Sequence, residues 1–215
     1  MADKIQSEQE ELINTITHGL GILFAAIASP FLLAYVNNSG TDGNFWAVAI
    51  FCFGMLTVYT SSTLYHAVRE KKLKYKLRIW DHISIFFLIG GSYTAIVQRY
   101  VNAETATTFL ITMWSIIAAG SVLKIFFTGK FSKLELMLYV GLGWMAVFIF
   151  KPLSQTMPLD VFWWLLAGGL FYMSGVFFYA RKKMLYNHGV WHCFVLGGTI
   201  SHFVAVCKSF WAMGW

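Results

Sequence analysis

The sequence predicts an all-α integral membrane protein, a bundle of seven transmembrane helices. Three observations carry that prediction. Of the 215 residues, 58% are apolar or aromatic and only 12% are charged. That charged share is about half that of an ordinary soluble domain, so too few polar side chains exist to cover a water-facing surface. The apolar residues fall into seven stretches, each close to the roughly 20 residues that a spanning helix needs. The sixteen Lys and Arg residues are spread unevenly between alternate connections. The composition excludes a disordered chain, a collagen-like repeat and a disulfide-rich secreted domain. It argues against a nucleic-acid binder in spite of the net charge of +6. Cys52, Cys193 and Cys207 lie in apolar stretches with no CxxC spacing, and read as small buried hydrophobes.

The first span is expected from His18 to Val36, with Pro30 tolerated inside it as a kink. Asn37-Asn38-Ser39-Gly40 ends it. The second runs from Phe45 to His66 and stops before the basic run Arg69 to Arg78. The third covers Ile79 to Val97 and ends before Asn102-Ala103-Glu104. The fourth covers Thr107 to Phe127 and ends at Thr128-Gly129-Lys130. The fifth runs from Leu134 to Phe150, closed by Lys151-Pro152. The sixth runs from Leu159 to Ala180, closed by Arg181 to Lys183, and the seventh from His188 to Ala212. No connection is long enough for another domain. Residues 1–215 are therefore expected to form one seven-helix membrane domain with a short N-terminal segment, 1–17. That segment opens polar and acidic, unlike a cleavable signal peptide.

Sidedness follows from the charges. The N-terminal segment and the second-to-third, fourth-to-fifth and sixth-to-seventh connections hold thirteen of the sixteen Lys and Arg residues. The other face holds Arg99, Lys151 and Lys208. By the positive-inside rule the N-terminus is cytoplasmic and the C-terminus outside. The basic run at 69–78 sets topology, and would also attract anionic headgroups. Trp163-Trp164 and the pair Trp211 and Trp215 fit interfacial aromatic belts.

Ionisable residues at membrane depth are costly and mark function by default. On the predicted topology His18, His66, Asp81, His188 and His192 share one depth near the cytoplasmic side. His188 and His192, in H-G-V-W-H, are related i to i+4 and so stack on one helix face. Ser62 and His66 have the same relation. Two imidazoles at that spacing suit a single metal ion, as on metalloprotease helices. Three imidazoles from two helices leave one tetrahedral position open, the mark of a catalytic zinc site. Asp81 would orient or deprotonate the attacking water, and Ser62 would hydrogen-bond beside it. The competing reading, histidines hydrogen-bonded inside a bundle, stays open on spacing alone. Glu11, Asn14 and His18 form one stripe at the entry of the first helix. It reads either as capping plus an interfacial face or as a wall behind the metal pocket. His82 points about 100° away from Asp81, and His202 lies about 15 Å from His192 along its helix. Neither is expected to be a ligand. Lys124 and Lys208 are expected to snorkel to the interfaces.

Several segments together resemble the bacterial haemolysin III family. These are E-L-I-N-T-I-T-H-G-L-G at 11–21, S-S-T-L-Y-H at 61–66, W-D-H at 80–82, G-S-Y-T at 91–94 and Y-N-H-G-V-W-H-C-F-V-L-G-G at 186–198. That family is related to the progestin and adipoQ receptors and to alkaline ceramidases. The resemblance covers nearly the whole chain in order. It implies that His66, His188 and His192 bind Zn2+, with Ser62 and Asp81 around the metal and its water. It leaves Glu11, Asn14 and His18 as neighbours without an assigned role. The sizeable N-terminal cytoplasmic domain of the receptor members is missing, so hormone reception does not carry over. The activity this implies is metal-dependent hydrolysis of a membrane lipid amide or ester, ceramide-like by analogy, in a bacterial plasma membrane and linked to lipid homeostasis. The alternatives are a haemolysin-like pore-forming protein and a membrane protein whose zinc is structural.

Overall fold

The computed structural model describes residues 6–38 and 44–211. Lys4, the Ser39-Gly40 part of the first turn signal, and Trp215 lie outside them, as does the side chain of Trp211. Seven helical segments are long and apolar enough to cross a membrane, and no strand occurs among the described residues.

Helix α1, Glu8–Asn38, begins ten residues before the expected start. The reason is a reciprocal cap: Ser7 N–H donates to Glu10 Oε2 (2.9 Å), and Glu10 N–H donates to Ser7 Oγ (3.2 Å). Helix α2 is Phe45–Ala67. Helix α3, Lys71–Tyr100, absorbs most of the basic run that was expected to be a loop. Glu70 caps it by accepting from the N–H groups of Lys72 (2.8 Å) and Leu73 (2.6 Å), and lysine is a good helix former. Helix α4, Ala103–Phe127, is capped by Asn102, which accepts from Thr105 N–H at 3.0 Å.

The fifth span departs most from expectation. It consists of α5 (Ser132–Gly143), a 3₁₀ turn (Met145–Ile149) and α6 (Phe150–Thr156). Lys151-Pro152 is helical instead of ending the span. Pro152 sits in the first turn of α6, where its missing N–H needs no partner. At the break, Tyr93 of α3 donates its hydroxyl to Gly143 C=O (2.7 Å) and accepts from Ala146 N–H (2.9 Å). Freed backbone groups are thus satisfied inside a protein that faces lipid. Helices α7 (Leu159–Ala180) and α8 (Asn187–Trp211) complete the chain.

Helix α2 packs along α3, α7 along α8, and α1 lies between α2 and α8. Small residues let α2 and α3 approach at backbone distance. A Cβ on Gly54 would stand 2.6 Å from Phe87 O, and one on Gly91 would stand 2.7 Å from Phe51 Cα. Leu32, Val36, Val48, Phe51, Met55 and Val97 fill the bundle at the end away from His66 and His188. Outward-facing apolar side chains such as Ile27, Phe126 and Phe148 are exposed, as a lipid-facing surface requires.

Two lysines differ in fate. Lys208 pairs at the surface with Asp160 (2.9 Å). Lys124 does not snorkel: it is 1% exposed. Its Nζ lies 2.7 Å from Glu135 Oε2, and His82 Nδ1 is 3.4 Å from the same oxygen. An inward partner outcompetes the interface, because pairing avoids the cost of an isolated buried charge. His202 is, as expected, an interior histidine held by hydrogen bonding: its Nε2 meets Leu165 C=O at 3.3 Å.

Candidate metal centre

The chain turns into α8 through Tyr186, which has a left-handed φ of 56°. Its N–H donates to Glu10 Oε1 (3.3 Å), while the Asn187 side-chain amide reaches the final carbonyls of α7. These contacts set the first turn of α8, which carries His188 and His192, against α1 and α7. Gly189 lies between the two histidines. A Cβ there would stand 2.8 Å from Ile13 Cγ2 and 3.3 Å from Asn14 Oδ1. Glycine therefore permits the close approach of α8 to α1. On the opposite side, His66 occupies the last turn of α2.

The result is one cluster. A ring nitrogen from each of His66, His188 and His192 lies within 4.8 Å of the other two. The ring centroids are 5.0 Å apart for His66 and His188, 5.2 Å for His66 and His192, and 4.6 Å for His188 and His192. The outer nitrogens of two rings are held from α1. His66 Nδ1 lies 2.6 Å from Glu11 Oε2. His192 Nδ1 lies 3.1 Å from Thr17 Oγ1 and 3.3 Å from Asn14 C=O. A carboxylate and a carbonyl only accept, so both rings carry their proton on Nδ1 and present a lone pair at Nε2. The Nε2 atoms of His66, His188 and His192 are all buried and without a hydrogen-bond partner.

Three converging imidazole lone pairs in an apolar interior would be costly if nothing met them. Neutral imidazoles suit a borderline divalent ion such as zinc. The Glu11–His66 contact matches the carboxylate that commonly orients a zinc-bound histidine. The residues present therefore fit Zn2+.

The remaining site candidates lie close by. His18 stacks face to face on His192, with centroids 3.5 Å apart and planes at 13°. Its edge contacts Tyr59, and both of its nitrogens are buried without a partner. His18 is not among the three converging ligands. Ser62 is fully buried one helical turn before His66, and its hydroxyl has no partner. Asp81 is buried and lines a cavity of about 310 Å³ together with Glu11, His82 and His188. Thus Glu11, Asn14 and His18, read from sequence as one stripe, all touch cluster histidines. Thr17 and Gly189 were missed. Thr17 had a usable signal, since it falls three residues after Asn14 on the same helix.

A family model described as "Haemolysin-III related" matches residues 6–203. The "Hemolysin-3 homolog" of Bacillus subtilis (strain 168) is 38% identical over 198 residues, 92% of this chain and 93% of that protein. The "Hemolysin-3" of Bacillus cereus is 33% identical over 206 residues, 96% of this chain and 94% of that protein. The human "Monocyte to macrophage differentiation factor" is 24% identical over 205 residues, covering 93% and 84%. No solved structure matches.

Proposed function

This chain belongs to the haemolysin-III-related family and is an integral membrane protein, and on that footing we propose that it is a zinc-dependent hydrolase of a membrane lipid amide or ester. The observation that carries the proposal is the convergence of ring nitrogens from His66, His188 and His192, whose Nε2 atoms are buried and unpartnered. His66, His188 and His192 would hold the ion, which supplies Lewis acidity: it lowers the pKa of a water and polarises a carbonyl.

The chain's own residues supply the rest. Glu11 and the Asn14 carbonyl fix the His66 and His192 rings. Asp81, in the cavity with His188, takes the proton from the attacking water. Ser62 offers its unpartnered hydroxyl to the substrate carbonyl. His18 walls the site from α1, stacked on His192. Thirteen of the sixteen basic residues lie on the segments at the histidine end, so that end is read as cytoplasmic and the protein as a resident of the bacterial inner membrane. A substrate would reach the site from the inner leaflet, which suits a role in lipid homeostasis. A ceramide-like amide is the first candidate, by resemblance to alkaline ceramidases.

The test is zinc content and turnover of lipid amides and esters by the purified protein in lipid nanodiscs. Zinc bound by wild type and lost in His188→Ala, with hydrolysis following the zinc, is the expected result. Bound zinc with no turnover of any lipid tested leaves a structural metal and removes the hydrolase. The printed names of the bacterial relatives suggest lysis instead. The packed apolar residues at the end away from the histidines, Phe51, Met55 and Val97 among them, argue against an aqueous path. Liposome leakage that persists after chelation would favour a pore.

A further inference from the structure

Glu11 spends one carboxylate oxygen on His66. Its other oxygen, Oε1, lies 3.0 Å from the ammonium of Lys74 on α3. Lys74 Nζ also donates to the backbone carbonyls of Tyr65 (2.9 Å) and Val68 (3.2 Å), at the end of α2. It lies over the Tyr65 ring, 4.8 Å from the centroid. An ammonium has three N–H donors, and three oxygens from two other helices meet this one. Its neighbours in the basic run, Lys71, Lys72 and Lys76, are exposed, whereas the Lys74 side chain is turned inward at 26% exposure.

We propose that Lys74 is a positioning residue of the metal centre, acting on His66 through Glu11. The inference rests on the metal-binding reading above. A carboxylate is rigid and planar, so pinning Oε1 to the ammonium fixes where Oε2 stands. Oε2 in turn holds the His66 Nδ1–H and aims Nε2 at the cluster. The same ammonium ties down the carbonyls of Tyr65, just before His66, and of Val68, the residue that caps α2. Lys74 thus sets both the backbone and the ring of one ligand, and its charge offsets that of the half-buried carboxylate. In the primary structure it is indistinguishable from the topology-setting lysines around it.

Zinc affinity, measured by competition with a chromophoric chelator on the full chain in nanodiscs, tests this. Unfolding of the metal-free protein is followed in parallel. K74M is expected to lower zinc affinity by about 10- to 100-fold, the usual effect of losing a residue that orients a metal ligand. K74R, which keeps charge and donors, recovers the larger part. The exchanged pair E11K/K74E is expected to regain unfolding stability relative to either single change while its zinc affinity stays low, because a lysine at position 11 cannot accept from His66. Wild-type affinity in K74M overturns the inference and leaves the metal reading standing. So does an exchanged pair that recovers affinity along with stability, since the contact would then be only a staple between α1 and α3. Wild-type protein that binds no zinc removes the metal reading, and the inference with it. Should K74M not accumulate in folded form, K74R and the exchanged pair still decide.

Discussion

Gly189→Ala separates stability from metal binding. The added Cβ would stand 2.8 Å from Ile13 Cγ2, against about 3.5–4.0 Å for carbon atoms at rest. Ile13 is β-branched on a helix and cannot swing clear, so α8 must retreat from α1 by at least about 0.7 Å. The His192 Nδ1 contact with Thr17, 3.1 Å in the native structure, then opens beyond hydrogen-bond range, and that with Asn14, at 3.3 Å, opens with it. Overpacking of this kind costs about 1–3 kcal/mol. Replacing a helical glycine returns up to about 1 kcal/mol. The metal-free protein should therefore lose at most about 3 kcal/mol and remain folded. Zinc affinity should fall by about 10- to 100-fold, since His192 loses the groups that orient it. Circular dichroism melts of the chelated protein and zinc competition titrations read the two effects separately. Unchanged zinc affinity in Gly189→Ala would refute the account of how α1 orients α8.

Other outcomes follow from the same geometry. Zinc at about 100 times its Kd stabilises a folded state by about 2.7 kcal/mol, worth about 5–10 °C for a chain of this size. Thermal scans with and without chelator should show that shift in wild type and none in His188→Ala. Lys124→Met strands the Glu135 carboxylate with only His82 beside it, and should destabilise the bundle by about 3–5 kcal/mol. Lys124→Met/Glu135→Gln should recover most of that in a denaturation cycle, and a double variant no better than the single would contradict the pairing. At the start of α3, the Lys72 and Leu73 amides hold the Glu70 carboxylate below its ordinary value of 4.5. A depressed carboxylate stabilises above its unfolded pKa and loses that effect as pH falls through the folded value. Protection of the Lys72 and Leu73 amides, read as exchange relative to an unstructured amide at the same pH, should accordingly fall as pH drops below 4.5, and Glu70→Gln should remove the dependence.

The spans were legible because hydropathy is a sum over about 20 neighbours and survives local irregularity. The same insensitivity hid the break in the fifth span. Met145 to Ile149 are as apolar in a 3₁₀ turn as in an α-helix, and the group that stabilises the break, Tyr93, lies on another helix. The extension of α1 was hidden for the opposite reason. Residues 8–17 are too polar to read as membrane helix, yet they carry Glu11, Asn14 and Thr17. At the site, the i to i+4 histidines were visible because one helix brings them together. The Lys124–Glu135–His82 group was not, because its members meet only through packing of α3, α4 and α5. Nothing local distinguishes Lys74 from Lys72 or Lys76.

The bond between Thr17 and His192 joins residues 175 positions apart. During synthesis six spans have been made before His188 and His192 exist. Until then Glu11, His66 and Lys74 can meet, but the two histidines of α8 are absent. The centre is consequently the last thing the chain acquires, and ion uptake reports that the final helix has been inserted and has found the first. A translation product that stops before His188 would hold six of the seven spans and His66, but neither of the two histidines of α8.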